Sequence, residues 1–185
     1  MITLTTSYAK EVKMLPVFIF DTHQDEELYF YVFLRHAMTK RAILKNAKLV
    51  FWGDYSWGYP IIEKSKGDKV YGTLTHFTTK EAYEKFESCV KNTRQNWRFK
   101  KLKAVVKTDD GDEVKCLLFM IEPYTKDRGT FRGRKEIPLK ECYEAMLKIY
   151  KKNKFPQKVL RKALLDTLSE YYSEKFEFKG VNENG

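Results

Sequence analysis

The sequence predicts one α+β domain, and three observations predict it. Its 185 residues are enough to bury a hydrophobic core without a metal or disulfide scaffold. Hydrophobic residues make up 43% and aromatics 15%, so the 32% that are charged read as the surface of a folded chain. Short apolar runs bounded by turn formers share the chain with stretches whose apolar residues recur at three- and four-residue steps, the marks of strands and of amphipathic helices.

Residues 1–14 are polar and unpatterned, which makes them a flexible segment ahead of a domain over 15–170, with 171–185 as a tail. Pro16 opens the apolar run Val17, Phe18, Ile19, Phe20, a buried strand. Residues 26–34 begin with acids that suit a helix start and continue through Tyr29, Phe30, Tyr31 and Phe33; they read as a helix. Residues 47–52 form a strand, and 54–60 hold Gly58 and Pro60 beside Trp57 and Tyr59, a stretch rich in turn formers.

Lys66-Gly67-Asp68 reads as a hairpin-type turn into a strand over 69–77. Thr78, followed three residues later by Glu81, marks a helix start with a capping box, and the helix runs over 79–91. On it Ala82, Tyr83, Phe86, Cys89 and Val90 form one apolar stripe. Strands over 99–108 and 114–121 are joined by the turn Asp109-Asp110-Gly111-Asp112. A loop over 124–137 carries Arg128, Arg132, Arg134 and Lys135, and two helices lie on either side of Phe155-Pro156.

Several function classes are disfavoured by composition. No window approaches the ~18 consecutive apolar residues of a membrane span, and Asp21 interrupts the first apolar run too early for a secretory leader, so a cytoplasmic protein is expected. Cys89, Cys116 and Cys142 are odd in number and far apart, without CxxC spacing, which argues against a disulfide framework or a zinc site. His23, His36 and His76 have no acidic or cysteine partner at ligand spacing, so no metal and no cofactor is expected. Cys89, on the apolar stripe, reads as a buried inert thiol.

The formal net charge of +10 makes nucleic acid or an acidic macromolecule an available partner. The candidates are Lys91, Arg94, Arg98, Lys100, Lys101 and Lys103, interleaved with Trp97 and Phe99, together with Arg132 and Arg134 in the basic loop. A solvated strand face explains the same lysines, because charge on an exposed strand resists edge-to-edge pairing.

In their order along the chain, five short motifs resemble those of the γ-glutamylcyclotransferase family, which includes the AIG2-like and γ-glutamylamine cyclotransferases. Val17 to Phe20, followed by Asp21-Thr22-His23, stands where that family has a strand ending in a Tyr-Gly-Ser/Thr-Leu or Tyr-Gly-Ser-Asn loop. Gly58-Tyr59-Pro60-Ile61 is similar to its Tyr-Pro-Ala element, and Gly67-Asp68-Lys69-Val70-Tyr71-Gly72-Thr73-Leu74-Thr75 to its Gly-x-x-Val-x-Gly-Glu-Leu/Val-Tyr signature. The helix motif falls on 86–91 with the following strand on 99–106, and the C-terminal pattern on 143–159. The resemblance covers roughly Val17 to Ala163.

The resemblance implies a small mixed β-barrel with flanking helices, and a ligand pocket at Phe20, Asp21, Thr22, His23, Tyr59, Val90 and Phe99. It also implies a cofactor-free reaction, in which the α-amine of a γ-glutamyl group attacks its own γ-carbonyl and releases 5-oxoproline while a buried Glu shuttles the proton. That Glu needs an apolar pocket to tune its pKa toward neutrality. On the register of the apolar positions Val90 occupies its place, and Val90 has no proton to move. Asp21 replaces the loop Gly with bulk and negative charge, so γ-glutamyl substrates are expected to bind poorly. The sequence therefore reads as a divergent member that binds a small γ-glutamyl-like ligand or a partner without catalysis. A shifted register keeps an active enzyme as the alternative, with Glu87 as general acid/base.

Overall fold

Both faces of the first strand are buried, and the rest of the fold is arranged around it. The computed structural model describes residues 14–24, 36–54, 57–92, 97–123 and 139–172. β1 (Val17–Ile19) is followed by one turn of 3-10 helix (Thr22–Gln24), β2 (Ala37–Asp54), β3 (Trp57–Phe77), α1 (Lys80–Asn92), β4 (Trp97–Thr108), β5 (Glu113–Pro123), α2 (Leu139–Lys152) and α3 (Gln157–Tyr172). The strands close into a barrel in the order β1-β3-β2-β4-β5. Neighbours are antiparallel except at the seam, where β1 runs parallel to β5 with Val17 opposite Leu117 and Phe18 opposite Leu118. The barrel with flanking helices is the architecture that the resemblance implies.

Alternation along β1 and β5 divides the buried side chains in two, because successive residues of a strand point to opposite faces. Phe18, Phe20, Cys116, Leu118 and Met120 join the larger cluster with Met146, Ile149, Tyr150 and Leu160 of α2 and α3. Val17, Ile19 and Phe119 join the smaller one with Ala82, Phe86 and Val90 of α1. Gly72 permits the close crossing of β3 over β1: a Cβ there would collide with the Ile19 carbonyl oxygen and come within 2.8 Å of the Phe18 ring. This accounts physically for the glycine of the Val70-Tyr71-Gly72 motif.

Three sequence readings change. The strand over 47–52 belongs to an 18-residue β2, and Trp57 to Pro60, read as turn-rich, lie in the 21-residue β3 paired with it. Lys66-Gly67-Asp68 does not reverse the chain, since β3 pairs with β2 on both sides of it; the register shifts across Asn46. This is a bulge, with Gly67 at φ 86° and its N–H donating to Asn46 Oδ1 at 3.1 Å, while Asn46 itself adopts φ 56°. The helix cap moves by one residue: Thr79 Oγ1 accepts the Ala82 N–H at 3.2 Å, while the Thr78 hydroxyl donates to the His36 carbonyl at 2.8 Å.

The β4–β5 hairpin lies where its alternation and its turn put it, with Gly111 at φ 94°. The last two helices flank Phe155 and Pro156, and Lys154 at φ 55° ends α2 while the Phe155 N–H donates to the Tyr150 carbonyl at 2.8 Å. The helix read over 26–34 and the loop over 124–137 fall outside the described residues, as do most of the two terminal segments. Among the described residues no helix is long and apolar enough to cross a membrane.

Candidate functional site

Where β1 ends, the chain turns through Asp21 and delivers two polar side chains into the smaller cluster. Asp21 is 4% exposed and His23 1%. Asp21 Oδ1 accepts the His23 backbone N–H at 3.0 Å and lies 2.9 Å from His23 Nδ1, a local Asx-type arrangement that the Asp-x-His spacing makes possible. The Tyr59 hydroxyl, reaching from β3, donates to Asp21 Oδ2. Gln24 Nε2 donates to the Asp21 carbonyl at 3.3 Å, and its Oε1 is buried with no hydrogen-bond partner among the described residues.

Burial by itself would neutralise both groups, but each favours the charge of the other. Burial pulls the His23 pKa down; the Asp21 charge and hydrogen bond, with a smaller contribution from Cys89, outweigh it and carry the imidazole up to about 10. Burial likewise pushes Asp21 up, and the His23 charge together with the hydrogen bonds from His23 and Tyr59 holds it below the ordinary carboxylate value. The pair is therefore an imidazolium–carboxylate ion pair at neutral pH, with the Phe86 ring edge-on to His23 at 6.0 Å.

Beside this pair lies a cavity of about 10 Å³, lined by residues that include Phe20, Asp21, His23, Phe86 and Val90. That is room for about one water molecule. Val90 is 2% exposed and presents an isopropyl group to the cavity. Glu87 sits on another face of α1, in an open cleft of about 460 Å³ with Tyr83, Glu84, Ser88, Lys91, Asn92 and Lys101. Its carboxylate is 2.7 Å from Lys91 Nζ and 2.6 Å from Lys101 Nζ. Partial burial would raise the Glu87 pKa, but the hydrogen bonds from Lys101, Lys91 and Tyr83 bring it down to about 2. A carboxylate held in that state accepts hydrogen bonds and does not exchange protons near pH 7.

Of the ligand-pocket residues expected from the sequence, Phe20, Asp21, His23 and Val90 line the cavity, and Tyr59 reaches Asp21. Thr22 begins the 3-10 turn. Phe99 packs half-buried against Phe119, with Lys91 Nζ 5.2 Å above its ring. On the basic strand Lys103 and Arg98 are exposed, whereas Lys101 is tied to Glu87 and lies over the Tyr83 and Phe119 rings. Arg94, Arg132 and Arg134 lie outside the described residues. Among the described residues no three His, Cys, Asp or Glu side chains are placed so that they could hold a metal ion.

Two readings of single residues are corrected. His23 does have an acidic partner, two residues away, and a cysteine partner, because Cys89 hydrogen-bonds to it across the cluster. Cys89 is partly exposed, unlike the buried Cys116 and Cys142. The Asp21-x-His23 spacing was visible in the sequence; the approach of Cys89 was not, since 66 positions and two strands separate it from His23.

No protein-family model matches the sequence, and no curated protein matches it. Solved structures do share its fold. A protein described as a γ-glutamyl cyclotransferase superimposes with a TM-score of 0.60 at 16% identity, over 92% of this chain and 94% of its own. A human protein, described as uncharacterized protein loc79017, gives the same score and identity over 93% of this chain and 95% of its own. YkqA from Bacillus subtilis gives a TM-score of 0.52 at 14% identity, over 84% of this chain and 54% of its own.

Proposed function

The chain thus has a γ-glutamylcyclotransferase-like fold, at an identity of 16% to the cyclotransferase that shares it. We propose that it is a divergent member which no longer carries out cyclotransfer and works as a binding domain for an acidic macromolecule in the cytoplasm. The observation that carries this reading is the small size of the cavity beside Asp21 and His23. A space of about 10 Å³ cannot take a γ-glutamyl group, and the side chain at the expected position of the acid/base is Val90. Binding is then assigned to the outer surface, where the net charge of +10 favours an acidic partner. The three free cysteines support the reducing compartment.

Glu87 as general acid/base is the competing assignment. Against it stand two lysine contacts under 3 Å, which hold Glu87 ionised on the outer side of α1. Calorimetric titration with γ-glutamyl amino acids and with 5-oxoproline tests the reading. No saturable heat is expected up to millimolar ligand. Saturable binding that vanishes in Val90→Phe, which fills the cavity further, would overturn it.

A further inference from the structure

Cys89, His23 and Asp21 form a chain of side chains that neither the fold nor the proposed binding role requires. Asp21 Oδ1 holds His23 Nδ1 at 2.9 Å, and Tyr59 donates to the other Asp21 oxygen, so the carboxylate and the ring are both fixed in orientation. With Nδ1 committed to Asp21, the remaining ring nitrogen is the one available to the Cys89 sulfur, to which His23 is hydrogen-bonded. The order is thiol, imidazole, carboxylate, hydroxyl. A cysteine beside an imidazolium that a carboxylate holds in place is an arrangement that favours attack through the thiolate.

Burial and exposure are distributed to suit that role. His23 and Asp21 are almost wholly enclosed, whereas Cys89 is partly exposed on α1 and reachable by a small reagent. The side chains of the same cluster from the strands, Val17, Ile19, Phe77 and Phe119, carry no charge. One turn back on α1, Lys85 is held by Glu81 at 2.6 Å. Cys116 and Cys142 are buried in the larger cluster and serve as internal controls.

We propose that Cys89 is a nucleophilic thiol site, positioned by His23 and Asp21, that exchanges with the disulfides of low-molecular-weight thiols. The Cys89 sulfur attacks one sulfur of the small disulfide; a protein–small-molecule S–S bond forms as the original S–S bond breaks. The Cys89 proton is lost to solvent, the sulfur attacks beside the His23 imidazolium, and the departing thiolate takes a proton from solvent, so one protein thiol and one disulfide become one mixed disulfide and one small thiol. The small disulfide is the oxidant, and no other is needed. Cys89 is the reacting residue, whereas His23, held by Asp21, positions it and sets a positive charge beside its sulfur.

The test uses the full folded chain and the aromatic disulfide 5,5′-dithiobis(2-nitrobenzoate) at pH 7, with peptide mass mapping to locate the adduct. Cys89 is expected to react before Cys116 and Cys142 and about tenfold faster than free cysteine. His23→Gln should slow it about tenfold, and Asp21→Asn, which preserves side-chain shape, should also slow it if His23→Gln does not fold. Reaction of Cys89 no faster than free cysteine in the unaltered protein would overturn the proposal. So would a rate unchanged in the folded variant.

Discussion

The two hydrophobic clusters lie on opposite faces of the same short strands, yet they are built on different principles. The larger one, closed by α2 and α3, consists of side chains without charge. The smaller one, closed by α1, surrounds an ion pair whose members are 1% and 4% exposed. An uncharged cluster holds a barrel together through burial alone. A buried pair adds little net stability, since the desolvation of two charges offsets their attraction, but removing one member strands the other. The contrast suggests that the smaller cluster retains Asp21 and His23 for what they do to each other and to Cys89.

The largest effect should come from splitting that pair. His23→Leu leaves the Asp21 charge buried and should cost about 3–5 kcal/mol in urea unfolding, with most of the loss recovered when Asp21→Leu is added. A cost under about 1 kcal/mol for the single change would mean that the pair is not ionised. The pH dependence sharpens this. The His23 pKa is raised from 6.5 to about 10, so its contribution is complete below pH 6.5 and is lost as pH rises through about 10. Asp21 is shifted below 3.8, so its contribution is present above that value and is lost as pH falls below it. The pair's stabilisation should therefore be greatest between about pH 4 and 6.5, and this profile should be absent from the double variant.

In the uncharged cluster, Leu160→Ala should cost about 2–5 kcal/mol with the pH profile unchanged, because only a cavity is created. Gly72→Ala should cost about 1–3 kcal/mol, through the forced separation of β3 from β1 against Ile19 and Phe18. The smallest effect is at the start of α1. Thr79→Ala should cost about 1 kcal/mol and Thr78→Ala less, since the Thr79 hydroxyl holds the Ala82 N–H. Equal losses would return the cap to Thr78.

Local pattern made much of the fold legible. The alternation of residues 99–108 and the Asp109–Asp112 turn specify a hairpin, and the apolar stripe from Ala82 to Val90 specifies a helix and its buried face. The length of β2 and β3 was not legible. Residues 37–46 are rich in lysine, arginine and alanine, and what makes them a strand is their pairing with 69–77 across the barrel. Gly67 carries the same local signal in a bulge as in a reversal, and only the partner strand distinguishes the two.

At the candidate site, the resemblance set Asp21 against the family's loop glycine and Val90 against its acid/base position, and the fold brings these two residues to one cavity. The partnership of Asp21 with His23 was overlooked, because an Asp-x-His pair has ligand-like meaning only when the turn folds it inward, as the hydrogen bond to the His23 N–H does. Cys89 joins them only in three dimensions.

Release of 5-oxoproline from a panel of γ-glutamyl compounds tests the central claim most directly, with the unaltered chain compared with Glu87→Gln. A cavity of about 10 Å³ lined by Val90 predicts no release from either protein. Release by the unaltered chain that disappears in Glu87→Gln would contradict the account and make the cleft beside Lys91 and Lys101 the active site.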